Sequence, residues 1–110
     1  MAFFECVANN GTIVDKEFTV LYTRDVSSLS VDTKTISIPA DITEVILSTA
    51  EPWDSGSVRI NSHSDNITQI YSTVILGGGH GKGHLYVFSK KEGQSASINF
   101  SVIGGRLIAR

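Results

Sequence analysis

The sequence predicts a single all-β domain, an antiparallel β-sandwich of jelly-roll or Ig-like type, on three observations. Short stretches rich in β-branched and aromatic residues recur along the 110 residues, bounded by Gly, Pro, Asn, Asp and Ser. Residues 95–102, SASINFSV, alternate Ala96, Ile98, Phe100 and Val102 with Ser95, Ser97, Asn99 and Ser101. A period of two with one apolar face marks a strand that packs on a core on one side and meets water or a polar partner on the other. No stretch sustains a helical period. The length is that of one domain (residues 1–110), enough to bury roughly 65% of the unfolded surface in one modest core.

Each element follows from local chemistry. Residues 1–7, MAFFECV, read as a first strand, and Asn10-Gly11 as a tight turn in which both positions accept positive φ. Residues 12–14 continue it briefly. Residues 17–23, EFTVLYT, set Phe18, Val20 and Tyr22 against Thr19, Leu21 and Thr23, which predicts a strand with one aromatic and β-branched face. Residues 24–32 are polar and Ser-rich, a connection and a candidate flexible segment. Residues 33–38, TKTISI, form a strand that stops at Pro39, which has no N–H for a ladder. After the turn Pro39-Ala40-Asp41 comes a strand at 43–49, TEVILST, then a loop at 51–56, EPWDSG. Residues 57–61, SVRIN, point Val58 and Ile60 inward and Arg59 outward, and residues 62–66 turn.

Two long β-type runs follow, residues 67–76, ITQIYSTVIL, and 84–89, HLYVFS, on either side of LGGGHGKGH at 76–84. The glycines let this stretch bulge or approach another backbone, so it reads as the tip of a long hairpin whose arms supply the central strands. Residues 90–94, KKEGQ, make a charged turn. After residues 95–102, Gly104-Gly105 bends the chain into RLIAR at 106–110.

Composition excludes several functions. Net charge is −2 with acids and bases scattered, and the absence of a basic stripe argues against a nucleic-acid partner. The longest apolar run is short of the roughly 20 residues a spanning helix needs, so no membrane insertion is expected. No Lys or Arg precedes the apolar opening, which argues against a secretory signal. The only cysteine, Cys6, has no internal partner for a disulfide and reads as a small buried residue of the first strand.

Tests for chemistry return little. Gly81-Lys82 superficially suggests phosphate binding, but the first P-loop glycine falls at Leu76, Gly83 follows the lysine, and no helix comes next. His80 and His84 are four apart on a loop, with His63 in another turn; zinc wants three or four ligands in fixed geometry, so exposed loop histidines are the plainer reading. The acidic residues sit mostly in turns, as solvated surface charge does, and no nucleophile elbow is present. No enzyme and no cofactor are expected. Trp53 with Asp54, near Asn61, Asn66 and the loop histidines, would suit a glycan platform, and Trp53 would equally plug one end of the sandwich or enter a subunit contact. Three glycosylation sequons, at Asn10, Asn66 and Asn99, read as chance.

The opening MAFFECV, the strand ending in TISIP, TEVILST, and the Gly-rich hairpin before the last strands resemble a family of small proteins encoded among the virion genes of phages and prophages of Gram-positive bacteria. The resemblance implies a non-enzymatic component of the tail or capsid surface, multimeric, assembled in the host bacterial cytoplasm with other virion proteins. It carries over no catalytic residues. The loop at residues 80–84 has no match in the family; from the residues themselves, the expected contacts between copies are the hairpin tip, with Gly79, His80, Lys82 and His84, and the RLIAR tail. There Arg106 and Arg110 would pair with a neighbour's acids while Leu107 and Ile108 would bury; a final edge strand within the same subunit is the equal alternative. The rival reading is a carbohydrate-binding module or adhesin that recognises cell-surface glycans through Trp53 and Asp54.

Overall fold

The computed structural model describes residues 16–52, 56–76 and 81–110. They contain β1 (Thr19–Arg24), β2 (Asp32–Ile38), β3 (Glu44–Ala50), β4 (Arg59–His63), β5 (Ile67–Leu76), β6 (Lys82–Lys90), β7 (Ala96–Val102) and β8 (Gly104–Ala109). The strand expected at residues 1–7, the turn at Asn10-Gly11, the continuation at 12–14 and Cys6 lie outside the described residues. Every strand pairing among the described residues is antiparallel. Sheet A has the order β1-β8-β3-β6-β5 and sheet B the order β2-β7-β4. Strand 1 thus pairs with 8, 2 with 7 and 3 with 6. That nested pairing is a long hairpin rolled into two layers, the jelly-roll wrapping. The roll opens at its closed end: β4 stays with β7 in sheet B while β5 stays with β6 in sheet A.

The layers meet as the alternation dictates. Val45, Leu47, Phe88, Leu107 and Ala109 of sheet A face Ile38, Ile98, Phe100 and Val102 of sheet B, all with no exposed surface. Each large side chain buried this way is worth about 1.5–3 kcal/mol. A single polar contact nets about 0.5–1.5 kcal/mol, so the core alternation decides the fold and the polar contacts refine it. The flanks are closed by rings. Tyr22 of β1 meets Phe100 edge-on at 5.1 Å, and its hydroxyl donates to Asp32 Oδ2 at 2.6 Å. On the opposite flank His63 of β4 packs edge-on against Phe88 of β6 at 6.0 Å.

Turns are pinned by specific groups. The carbonyl of Ala40 accepts from Gly93 N at 2.9 Å and from Lys90 Nζ at 3.2 Å, tying the β2–β3 turn to the β6–β7 turn. Lys90 is buried, and Nζ also donates to Lys91 O at 2.7 Å. The segment between β1 and β2, expected as a flexible connection, is tied to the body. It holds a 3₁₀ turn (Val26–Ser28) capped by Asp25, whose Oδ1 accepts from Ser27 N at 2.9 Å. Arg24 reaches from β1 to donate to Ile103 O at 2.9 Å, to Ser30 Oγ at 2.9 Å and to Ser30 O. Gly104 lets Val26 come so close that a Cβ there would lie 2.8 Å from Val26 backbone.

Three features depart from sequence expectation. The register of β1 shifts between Val20 and Tyr22, so Leu21 and Tyr22 both pack on the core while Phe18 and Val20 stay exposed. A bulge of this kind inserts one residue and reverses facing beyond it. The hairpin arm β6 begins at Lys82, so Lys82 and His84 belong to a strand and not to a loop tip. Residues 106–109 of the RLIAR segment belong to β8, which is neither a tail nor an edge but lies between β1 and β3.

Candidate functional site

The two sheets present outer faces of opposite character. Directly opposed residues on neighbouring strands share a face, so registers can be followed across a sheet. In sheet A, Val20 opposes Ile108, Ile108 opposes Ile46, Ile46 opposes Val87, and Val87 opposes Tyr71. Val45, Leu47 and Phe88 point into the core, so this row points out. One apolar side chain from each of the five strands therefore forms a straight band across the outer face. Its ends are open, Val20 at 51% and Tyr71 at 55% exposure, and its middle is half-buried among neighbours. Leu85 and the exposed Ile75 extend it along β6 and β5.

Charge flanks the band. On one margin Arg110 Nε donates to Glu44 Oε1 at 2.8 Å, and its guanidinium lies 4.5 Å above the Phe18 ring. On the other margin Arg106, exposed, opposes Thr23 and Ser48.

The outer face of sheet B is neutral and polar apart from Arg59. Thr33, Thr35 and Ser37 of β2 oppose Ser101, Asn99 and Ser97 of β7, and Arg59 and Ser62 of β4 oppose Ser101 and Asn99. A bulge between Ile60 and Ser62 turns Asn61 onto this face. Asn61 accepts from Arg59 Nε at 2.9 Å and donates to Asn99 Oδ1 at 2.8 Å and Ser101 Oγ at 3.0 Å. Asn99 Nδ2 donates to Thr35 Oγ1, and the Thr33 and Ser101 hydroxyls share a hydrogen bond, both at 2.8 Å. Side chains of all three strands thus form one hydrogen-bonded net.

A third cluster lies on the inner face of sheet A, at the end where β3 finishes and β6 starts. Thr49 Oγ1 accepts from His84 N at 2.9 Å. The His84 ring stacks on Tyr86 at 5.7 Å, and its Nδ1 is buried without a hydrogen-bond partner among the described residues. Glu51, 3% exposed, exchanges both backbone hydrogen bonds with Lys82. Burial first, then the charge of Glu51, raises the Tyr86 phenol above its ordinary value, and Lys82 opposes them.

The residues singled out from sequence divide accordingly. Lys82 and His84 sit in this inner cluster. Leu107 has no exposed surface and packs into its own core, which removes it as a contact between copies. Ile108 is central to the outer band, Arg106 stands at one margin, and Arg110 at the other is paired with Glu44 of its own chain. Gly79, His80, Trp53 and Asp54 lie outside the described residues. Of the polar residues considered with Trp53, Asn61 is held in the net, and Asn66 Nδ2 donates to Ser95 O at 3.1 Å. Sequence reasoning missed the band because it is assembled from five segments distant in the chain. It also missed the net, although the Ser and Asn positions of residues 95–102 had flagged one polar face. Among the described residues no three His, Cys, Asp or Glu side chains converge as metal ligands would. No family model matches the chain, and no curated protein and no solved structure matches it.

Proposed function

We propose that this protein is a non-enzymatic structural component of a phage particle that works by assembling into multimers with its own copies and with other virion proteins. One observation carries the assembly: an apolar band crosses the outer face of all five strands of sheet A. A two-layer sandwich that works alone has polar outer faces, as sheet B has. Apolar surface continuous over a whole sheet marks a surface covered in the working state. The placement on a tail or capsid surface is supported by the resemblance of the opening residues and of the TISIP and TEVILST segments to virion-encoded proteins.

The test is the mass of the native species, by sedimentation equilibrium, followed by imaging of labelled protein on particles. A multimer at micromolar concentration that decorates particles is the expected result. A monomer at millimolar concentration would overturn the reading. The rival, a glycan-binding adhesin, draws on the open polar face of sheet B and on Trp53 and Asp54. Binding on a glycan array that is lost in Trp53→Ala would favour it.

A further inference from the structure

We infer that the outer face of sheet A is covered by the same face of a second copy, related by a two-fold axis that lies in the interface and crosses β3; this rests on the assembly reading above. The argument starts from what can lie on such a face. The backbone polar groups of an extended segment laid across it alone would be buried without partners, at a cost. A second sheet arrives with its ladder already satisfied, and sheets stack face to face about 10 Å apart at about −30°.

The band also has the symmetry such a pairing needs. Its middle residue is Ile46 on β3, with Ile108 and Val20 on one side and Val87 and Tyr71 on the other. A two-fold along the band sets Ile46 of one copy on Ile46 of the other and keeps apolar against apolar over the full width. It also lays the margin bearing Arg106 over the margin bearing Glu44 and Arg110. Arg106 then lies over Arg110 of the facing copy, and Glu44, beside Arg110 on the neighbouring strand, is the one carboxylate there that both guanidinium groups would share. The area is adequate. Five strands by about seven residues span roughly 24 by 24 Å, near 600 Å² in projection. Side chains standing off the sheet raise this toward the roughly 800 Å² that each partner gives a standard interface. The product is a four-layer stack with the polar nets of sheet B outermost, a closed isologous pair that larger assemblies can repeat.

The experiment uses the full chain. The double variant Ile46→Thr/Ile108→Thr keeps β-branched residues in both strands, and its fold is checked by circular dichroism. Sedimentation equilibrium should give a wild-type mass that is a multiple of two and a dimer Kd raised more than a hundredfold in the variant. Ser37→Glu, on the outer face of sheet B, should leave Kd unchanged. Ile46→Cys, in a Cys6→Ser background, should cross-link to itself with a short bismaleimide and give one dimeric product. A wild-type multimer that the double variant leaves intact overturns the face assignment and leaves assembly standing. A multimer that the double variant dissociates, but in which the Ile46→Cys thiols of two copies do not cross-link, overturns the two-fold. A wild-type monomer overturns both proposals. With Cys6 retained, a link from the Ile46→Cys thiol to Cys6 of the same chain, in place of the dimeric product, overturns the pairing and assigns the face to the opening segment.

Discussion

At the scale of single residues, Tyr22 does most to join the two layers at the β1–β2 flank. Its ring leans on Phe100 and its hydroxyl bonds Asp32, so one side chain serves both packing and polarity. Tyr22→Phe keeps the ring and removes a bond to a carboxylate, which should cost about 1.5–3 kcal/mol in chemical denaturation. Burial first, then the Asp32 hydrogen bond and charge, holds the phenol above its ordinary value of 10.0, with Arg24 opposing. The sign of the pH effect follows. The unfolded chain releases this proton near pH 10 and the folded chain keeps it to higher pH. The contribution is therefore complete below about pH 10 and is lost as pH rises toward the folded value. Melting temperature measured from roughly pH 9 to 11 should fall in the wild type and fall less steeply in Tyr22→Phe. Gly104 gives a second residue-scale test. A Cβ would meet Val26 Cα, Cβ and N, each at 2.8 Å, and backbone cannot swing aside as a flexible side chain does. Gly104→Ala should destabilise by about 1–3 kcal/mol, and an unchanged midpoint would refute the close approach.

At the scale of elements, β7 shows what local pattern can and cannot decide. Its alternation survives intact because β7 is the centre of sheet B, flanked on both sides and free of bulges in its pairing with β2. Phe100→Ala should therefore cost about 3–5 kcal/mol, as a fully buried ring with no exposed surface. The alternation of β1 was equally legible as a strand, but its facing was not. The register shift between Val20 and Tyr22 comes from the pairing with β8, about 85 residues away in sequence, and nothing within residues 17–23 announces it. The same holds for β8. RLIAR reads as a tail because it is short and near the end of the sequence, yet Leu107 lies between Leu47 and Tyr22 in the register of three strands. Facing within an unbulged strand is local information; strand order and bulges are tertiary information. The hairpin 67–90 was legible because its two arms are neighbours in sequence, but its turn boundary moved to Lys82, and its arms are not the central strands: β5 is an edge of sheet A and β3 is its centre, a strand order that local pattern does not carry. Asn61 belongs to the same lesson, since a bulge puts it on the polar face where it bonds Arg59, Asn99 and Ser101. Asn61→Ala should cost about 0.5–1.5 kcal/mol in chemical denaturation, because water replaces most of these exposed partners.

At the scale of the whole molecule, the outer faces of the two sheets set a directional object, wettable on sheet B and water-shedding on sheet A. Association through the band removes apolar surface from water and makes few charge contacts, which sets its response to conditions. Its heat-capacity change should be negative, and the affinity should weaken on cooling toward 5 °C, roughly as hydrophobic burial fades at low temperature. Sulfate, which is excluded from protein surface, should strengthen the association. Sodium chloride acts in the opposite sense only through the margins. Arg106 and the Glu44–Arg110 pair are exposed enough to be screened beyond about 10 Å at 0.1 M salt, and exposed pairs contribute about 0–1 kcal/mol each. The loss between low salt and about 0.5 M should therefore stay within roughly tenfold in Kd. Dilution calorimetry at several temperatures, repeated in sulfate and in chloride, separates the contributions. A positive or zero heat-capacity change, with affinity collapsing by orders of magnitude in chloride, would move the contact off the apolar band and onto the charged margins of the sandwich.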